Sequence, residues 1–242
     1  MAKNKTHFGF KDVSTDEKEP LVQSVFSTVA AKYDIMNDFM SFGLHRAWKA
    51  ELAKELNPAE HEVLLDVAGG TGDIGNLYLA KGGKSVIISD LNKEMLEQGK
   101  LKHRDPRISW VQANGEKLPF NDESFDYYTI SFGIRNVTNI DRVLAEAFRV
   151  LKKGGKFICL EFSDVENKFI KAFYDFYSFK IIPRVGQLVA NSPDSYQYLV
   201  ESIRKFPRAT IFRNMIEDAG FCQVEYRKLS FGVVAIHIGY KQ

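Results

Sequence analysis

The residues most able to bind or transform a ligand surround one glycine-rich stretch. Asp66-Val-Ala-Gly-Gly-Thr-Gly-Asp73 follows an apolar run, and Gly70, Gly72 and Gly75 have the spacing G-x-G-x-x-G. Glycines at a strand-to-helix turn let the backbone approach a ligand closely. Asp90 lies about twenty residues beyond Gly70, where an acid accepts hydrogen bonds from ribose hydroxyls. The spacing therefore predicts a nucleotide-like ligand at the start of a helix.

Two features narrow the ligand to S-adenosylmethionine. Asp66 places a carboxylate in the strand before the turn. This negative charge repels the pyrophosphate of a dinucleotide, but it favours the positively charged amino-acid end and sulfonium of S-adenosylmethionine. An NAD-dependent oxidoreductase is therefore the weaker interpretation. The later run Gln112–Glu116 places Asn114 and Gly115 to cover an adenine edge. We predict that the cofactor contacts include Asp66, Gly70, Gly72, Asp90, Asn114 and Gly115.

Strands and helices that would position these residues alternate from residue 63 onward. The predicted strands are Val63–Val67, Ser85–Asp90, Ile108–Gln112, Phe125–Phe132 and Lys156–Phe162, with helices near 73–81, 92–102 and 140–152. This alternation indicates a parallel sheet covered on both sides. Cys222–Leu229 and Val233–Tyr240 are joined so directly that they must pair antiparallel. We predict an α/β fold of the Rossmann-like class I methyltransferase type. Its seven-stranded, mostly parallel sheet has an antiparallel C-terminal strand and helices on both faces.

The flanking segments suggest one domain with two helical additions. Residues 1–20 are polar and lack periodicity, so we expect a flexible N-terminus. A single methyltransferase domain should then span 21–242, with a helical cap over 21–60. A helical insertion over 164–215 should lie on the substrate side. Its aromatic run, 169–182, would either be buried against the sheet or a dimer partner, or form a tunnel wall or membrane-facing patch.

Composition excludes several classes of function. The 242 residues carry a net charge of +2, which gives no bulk electrostatic case for binding nucleic acid. Two cysteines, Cys159 and Cys222, suggest neither a disulfide framework nor a zinc site, and we expect no metal. The chain shows no signal or transit pattern and no run of about 18 apolar residues. We expect a cytoplasmic protein that could still contact a membrane surface.

Residues after the fourth predicted strand exclude other methyltransferases. Ser131-Phe-Gly-Ile-Arg-Asn136 lacks the Pro-Pro-aromatic run typical of enzymes that methylate amino groups of bases. The chain contains no Pro-Cys dipeptide, which cytosine C5 chemistry requires. It also lacks a His/Asp/Glu cluster of the kind that a metal-dependent catechol enzyme uses.

Two longer stretches closely resemble the ubiquinone/menaquinone biosynthesis C-methyltransferases. Tyr33–Trp48 follows that family's pattern Y-D-x-M-N…S…H-x-x-W. Arg149–Ser163 follows a second family pattern, although Lys153 stands where Pro or Val is usual. The resemblance implies cofactor contacts at Thr71, Asp90, Asn114, Gly115 and Ser131. It also implies methylation of a ring carbon of a polyprenyl quinol, either 2-methoxy-6-polyprenyl-1,4-benzoquinol or demethylmenaquinol.

Such a reaction needs electron density at the ring carbon, which an ionised quinol hydroxyl supplies. A phenol of pKa near 10 is ionised about one part in a thousand at pH 7, a cost of roughly 4 kcal/mol. The site must therefore offer a base or stabilise the phenolate. Arg135 and Asn136 rank first, because together they could fix a water that takes the proton while Arg135 stabilises the oxyanion. The simpler alternative makes Arg135 a salt-bridge partner only.

Further catalytic candidates come from the N-terminal segment and the fifth strand. Tyr33, Asp34 and His45 lie in the segment expected to fold over the methyl donor, and Glu161 ends a strand at the same sheet edge. His45 is a natural base by its pKa, but helix histidines often serve only in packing or capping.

Two alternative functions remain at this point. The chain could methylate another small apolar acceptor, or act as a non-catalytic, cofactor-binding assembly subunit. The expected partners are the polyprenyl quinol and a membrane surface, on the inner membrane face of a bacterium. A homodimer or a quinone-biosynthesis complex would also fit.

Overall fold

The computed structural model describes residues 5–30, 33–182 and 193–242. The strands are β1 Lys5–Phe8, β2 Lys11–Ser14, β3 Val63–Val67, β4 Ser85–Asp90, β5 Ile108–Gln112, β6 Phe125–Ser131, β7 Leu151–Phe162, β8 Cys222–Leu229 and β9 Val234–Tyr240. The α-helices are α1 Thr15–Val29, α2 Tyr33–Ser41, α3 His45–Lys54, α4 Asp73–Ala80, α5 Lys93–Lys102, α6 Ile140–Val150, α7 Lys168–Phe176, α8 Pro193–Lys205 and α9 Ala209–Asp218. Shorter helical turns span Ile134–Asn136, Tyr177–Ile181 and Ser230–Gly232.

Seven strands form one sheet in the order β5-β4-β3-β6-β7-β9-β8. β3 pairs in parallel with β4 and β6, whereas β9 runs antiparallel to both β7 and β8. The chain builds outward from β3 to β5 and then returns to β6 on the other side of β3. Ligands of open α/β sheets bind at such a reversal, beyond the carboxyl ends of the strands. The predicted fold is confirmed.

Helices cover both faces of this sheet. Leu64 belongs to a core under α1, α3, α4 and α5, while its neighbour Leu65 belongs to a second core under α6 and α9. Successive residues of a strand point to opposite faces, so each strand feeds both cores. Val143, Leu144 and Ala147 are buried, so α6 packs one apolar face against the sheet.

The boundary between α6 and β7 differs from the prediction. The helix was predicted near 140–152, but it ends at Val150, before Gly154 and Gly155. Leu151 pairs with Phe125 of β6, so β7 begins there and includes both glycines. Strand pairing, which the helical periodicity does not report, sets this boundary.

The N-terminal segment is ordered more than its sequence predicts. Residues expected to be flexible form the β1–β2 hairpin. α1 begins at Thr15, because the Ser14 amide and hydroxyl both donate to Glu17 in a capping box. Pro20 therefore lies inside α1 instead of preceding it. The hairpin is docked through Phe8, whose ring stacks on Tyr198 of α8 with centroids 4.0 Å apart.

The region predicted as a helical insertion contains α7, the turn Tyr177–Ile181, α8 and most of α9. Its aromatic run has two sides: Tyr174 and Tyr177 are buried, whereas Phe169 and Phe176 are exposed. Residues 31–32, within the predicted cap, and 183–192, within the predicted insertion, lie outside the described residues. No helix of the described part of the chain is long and apolar enough to cross a membrane.

Replacing Phe8 with alanine should destabilise the protein. The change removes a stacked aromatic contact, so we expect the free energy of unfolding to fall by about 2 kcal/mol. Phe10→Ala is the matched control, since Phe10 is 51% exposed and should change stability by less than about 0.5 kcal/mol. Urea denaturation followed by circular dichroism measures both variants. Equal losses for the two variants would mean that Phe8 does not dock the hairpin.

Candidate active site

The turn between β3 and α4 is built around residues in the left-handed region. Gly70 has φ +55° and Gly72 has φ +85°. A Cβ at position 72 would lie 2.7 Å from Ile88 Cδ1, and one at Gly69 would lie 2.7 Å from Asp66 Oδ2. The glycines therefore let the turn fold tightly onto the sheet. The cofactor contact predicted for Gly72 stays a prediction, because the structure shows only its packing against Ile88 in the sheet.

Beyond the carboxyl ends of β3, β4 and β6 lies a cavity lined largely by apolar side chains and a few polar ones. The residues predicted from sequence that line it are Tyr33, Gly70, Asp90, Asn114, Gly115 and Asn136. These predicted residues come from α2, the glycine turn, β4, the segment after β5 and the turn after β6. The fold thus brings them together at one cavity.

α1 closes one side of this cavity, which the sequence did not reveal. Glu19, Val22, Gln23 and Phe26 all line the wall. Asn114 donates from Nδ2 to Glu19 Oε2 at 2.8 Å, so the helix is tied to the predicted adenine-binding segment. A helical cap was predicted over 21–60, but no sequence signal indicated that Val22 and Phe26 would line this cavity.

Asp90 is held rigidly at the cavity wall. Its Oδ2 accepts from the Gly70 amide at 2.9 Å and its Oδ1 accepts from the Asn92 amide at 2.8 Å. Burial raises the pKa of Asp90 to about 6, although these backbone donors oppose the rise. The carboxylate retains lone pairs for ribose hydroxyls, so its position fits the predicted role.

Asp66 lies behind the glycine turn and is fully buried. Thr129 Oγ1 donates to Asp66 Oδ1 at 2.7 Å, while Oδ2 is buried without a hydrogen-bond partner in the described part of the chain. Burial raises the pKa of Asp66 to about 7, against the opposing effects of Thr129 and Lys49. A buried carboxylate with an unsatisfied oxygen fits a cationic ligand nearby, as S-adenosylmethionine requires.

Two further predicted cofactor contacts, like Asp66 and Gly72, do not line the main cavity. Thr71 lines a neighbouring cavity, together with Tyr33 and Asp34. Ser131 ends β6 between two lining residues, Ile130 and Phe132, and its Oγ is buried without a described partner.

Arg135 and Glu161 form a buried ion pair next to the cavity. Arg135 Nη1 donates to Glu161 Oε1 at 2.7 Å and to the Phe132 carbonyl at 2.6 Å. The guanidinium also lies 5.2 Å from the centre of the Phe162 ring. Burial raises the pKa of Glu161, and Arg135 opposes that rise. Arg135 therefore does form the salt bridge that the simpler alternative proposed. The Nε of Arg135 is buried without a hydrogen-bond partner among the described residues, so it can still donate to a ligand.

The remaining candidates from the N-terminal segment lie in ion pairs. His45 Nε2 lies 2.9 Å from Asp38 Oδ1, and burial lowers the pKa of His45. It does not line the cavity, and its amide donates to Ser41 Oγ at 3.1 Å, so His45 stabilises the α2–α3 turn. Asp34 Oδ2 accepts from Lys102 at 3.0 Å, in the neighbouring cavity. No group of three or more metal-ligating side chains occurs among the residues described.

One polar partner of the site was missed by sequence reasoning. Tyr198 of α8 donates from its hydroxyl to Asn136 Oδ1 at 3.0 Å. The two residues are 62 positions apart. No local pattern relates them, so only the fold brings them together.

Comparison with known proteins identifies the family. The sequence pattern of the ubiE/COQ5 methyltransferase family matches residues 12–241. The chain belongs to this family. It is 50% identical to the mitochondrial 2-methoxy-6-polyprenyl-1,4-benzoquinol methylase of Dictyostelium discoideum, covering 98% of this chain and 86% of that protein. It is 52% identical to the ubiquinone/menaquinone biosynthesis C-methyltransferase UbiE of Rickettsia bellii, covering 98% of this chain and 99% of that protein.

Solved structures agree on the fold. A Bacillus halodurans protein assigned as a methyltransferase is 26% identical, with a TM-score of 0.56 over 74% of this chain and 71% of that chain. The Haemonchus contortus phosphoethanolamine N-methyltransferase 2, solved with S-adenosylmethionine, has a TM-score of 0.58 at 15% identity, over 80% of this chain and 52% of that chain. The protein is an S-adenosylmethionine-dependent methyltransferase with the class I fold.

Affinity for S-adenosylmethionine should rise with pH through the range set by Asp66. The cation favours the ionised carboxylate, whose pKa is about 7 in the free protein, so binding releases a proton. The Kd should therefore fall by about tenfold as pH rises from about 5.5 to about 7.5. Titration calorimetry in buffers of different ionisation enthalpy measures both the Kd and the proton release. The Asp66→Asn variant should bind S-adenosylmethionine more weakly at neutral pH, and its Kd should depend less on pH. If the Kd of this variant depends on pH as steeply as that of the wild type, the released proton comes from another group.

Proposed function

We propose that this protein methylates a ring carbon of a polyprenyl quinol, either a benzoquinol or a naphthoquinol, in ubiquinone or menaquinone biosynthesis. The names of the relatives support the substrate class. The observation that carries the proposal is the position of Asn136, which lines the cavity beside the buried Arg135–Glu161 pair. That arrangement suits a substrate that must lose a phenolic proton.

The cofactor would be held by the glycine turn and three polar side chains. Asp90 would accept from the ribose hydroxyls, Asn114 and Gly115 would cover the adenine, and Asp66 would favour the positive charge through the buried turn. When bound, S-adenosylmethionine supplies an electrophilic methyl group. Tyr33 lines both cavities, so we assign it to the end of the site where donor and acceptor meet.

The chain's own residues would activate the quinol through its hydroxyl. Ionising a phenol at neutral pH costs roughly 4 kcal/mol, and a preorganised donor in a dry site reduces that cost. Asn136 would donate to the hydroxyl oxygen from the cavity wall. Arg135 would add its positive charge and its free Nε donor, while Glu161 holds the guanidinium in place.

Arg135→Ala should lose methyl transfer while keeping cofactor affinity. Loss of a donor to a developing oxyanion lowers kcat by about a hundredfold, whereas the cofactor contacts remain. Initial rates with a benzoquinol and a naphthoquinol acceptor measure transfer, and calorimetry measures cofactor binding. The exposed Arg142→Ala, on α6, is the control.

A second variant separates chemistry from folding in this test. Arg135→Ala leaves Glu161 buried and unpaired, which destabilises a protein by about 3–5 kcal/mol. The double variant Arg135→Ala with Glu161→Gln removes that unpaired charge, and it should fold, bind cofactor and remain inactive. Equal loss of transfer and cofactor binding in this double variant would refute the catalytic role of Arg135.

We also propose that the protein takes its substrate from a bilayer through an aromatic surface. This surface consists of Phe10, Phe39, Phe42, Phe176 and Phe179, which are 36% to 59% exposed. The Phe10 and Phe179 rings lie 6.2 Å apart, and Phe42 stacks on Tyr177 at 4.1 Å. Tyr177 also donates to the Phe39 carbonyl, so three separate segments share one face.

Charge and position favour a lipid surface as the occupant. Lys11 and Lys180 are exposed next to Phe10 and Phe179 in the chain, where they suit anionic headgroups. α8 connects this face with the reaction site, because it contacts both the turn Tyr177–Ile181 and the turn Ile134–Asn136. A prenyl tail held in the bilayer would thus pass along α8 toward Asn136.

Phe176→Ser combined with Phe179→Ser should weaken binding to vesicles that contain anionic lipid. Flotation should show the loss, and activity should fall for a long-tail quinol but not for a tail-less one. Leu101→Ser, at an apolar residue of α5 that is 67% exposed, is the control. Equal use of both substrates by the double variant would contradict the proposal. A sedimentation shift to monomer in that variant would instead indicate a homodimer through this face.

A further inference from the structure

Tyr198 makes a buried contact with the residue on which the proposed chemistry depends. Its side chain is 3% exposed, and its hydroxyl donates to Asn136 Oδ1 at 3.0 Å. Asn136 is itself buried, yet it lines the cavity that holds Asp90 and Asn114. Tyr198 therefore does not line this cavity, but it bonds a side chain that does.

The surroundings of Asn136 fix which end of its amide faces which neighbour. The Phe132 carbonyl lies 3.5 Å from Asn136 Nδ2, and a carbonyl can only accept a hydrogen bond. Rotating the amide by half a turn would place two acceptor oxygens together at Phe132. The nitrogen therefore stays beside Phe132, and Oδ1 stays beside Tyr198. The group that Asn136 has left to offer a ligand is the second N–H of Nδ2.

Tyr198 is well suited to hold this orientation. Phe8 of the N-terminal hairpin stacks on its ring with an interplanar angle of 12°. Burial raises the pKa of Tyr198 well above its usual value, and Arg135 opposes that rise only in part. The hydroxyl thus stays protonated at every working pH and remains a donor to Oδ1.

We propose that Tyr198 is a positioning residue, whose hydroxyl sets the Asn136 amide so that an N–H donor faces the quinol oxygen. The proposal rests on the proposed function, because it assigns Asn136 to that oxygen. The Phe132 contact, at 3.5 Å, is too long to hold the amide alone, so without the Tyr198 hydroxyl the amide can rotate and present its oxygen to the substrate. An acceptor at that place repels a phenolate, so ionisation of the quinol becomes harder.

The test compares two tyrosines on the same helix. Tyr198→Phe removes the hydroxyl that bonds Asn136, whereas Tyr196→Phe removes a buried hydroxyl that has no hydrogen-bond partner among the described residues. We expect Tyr198→Phe to lower kcat by about tenfold, with an unchanged Kd for S-adenosylmethionine. The acidic limb of its kcat profile should move to higher pH, because the bound quinol ionises less readily. Tyr196→Phe should match the wild type in all three measurements.

A double-mutant cycle then tests whether the effect passes through Asn136. In the Asn136→Ala background, adding Tyr198→Phe should lower kcat no further, because the amide that it positions is absent. Melting temperatures and cofactor Kd values confirm that each variant is folded. Fully additive losses, or equal losses for Tyr198→Phe and Tyr196→Phe, would overturn the proposal.

The wild type separates this inference from the function on which it rests. If the unmodified protein transfers no methyl group to either quinol, the proposed function has failed. If it transfers the group and Tyr198→Phe shows the wild-type kcat and pH profile, only the positioning role has failed.

Discussion

The buried ion pair between Arg135 and Glu161 is the contact on which the reaction site depends. It ties the turn after β6 to the end of β7, with both side chains less than 5% exposed. Two charges in such a place stabilise the protein only when they hold each other, because removing one leaves the other unpaired. The pair therefore fixes the backbone of the turn that carries Asn136. The ion pair thus also determines the geometry of the cavity wall at Asn136.

Aromatic rings pack against the Arg135–Glu161 pair. Phe162 lies under the Arg135 guanidinium. The ring centres of Trp48 and Phe162 lie 6.1 Å apart in an edge-to-face arrangement, and Trp48 donates from Nε1 to Ser230 Oγ. Trp48 closes the stretch Tyr33–Trp48, which first suggested the family. Within that stretch Tyr33 lines the cavity, while His45 and Trp48 build the frame around it. Most residues of a family-specific motif can thus stabilise the structure around a site without taking part in its chemistry.

Sequence reasoning predicted the features that local patterns determine. The five parallel strands, the glycine turn and Asp90 follow from periodicity and spacing, because each depends on neighbours within one β–α unit. The β1–β2 hairpin and the Tyr198–Asn136 hydrogen bond were not predicted. The hairpin strands are only four residues long and polar, and the hydrogen bond joins residues 62 positions apart. Both are stabilised by contacts between distant parts of the chain, which periodicity does not report.

The central claim is that the methyl group reaches a ring carbon of a quinol. The most direct measurement incubates the protein with methyl-labelled S-adenosylmethionine and reduced benzoquinol or naphthoquinol acceptors, then locates the label by NMR and mass spectrometry. The account predicts label on a ring carbon of at least one acceptor. Label on a hydroxyl oxygen of the quinol would contradict the account. So would a protein that leaves both quinols unlabelled while it methylates another acceptor.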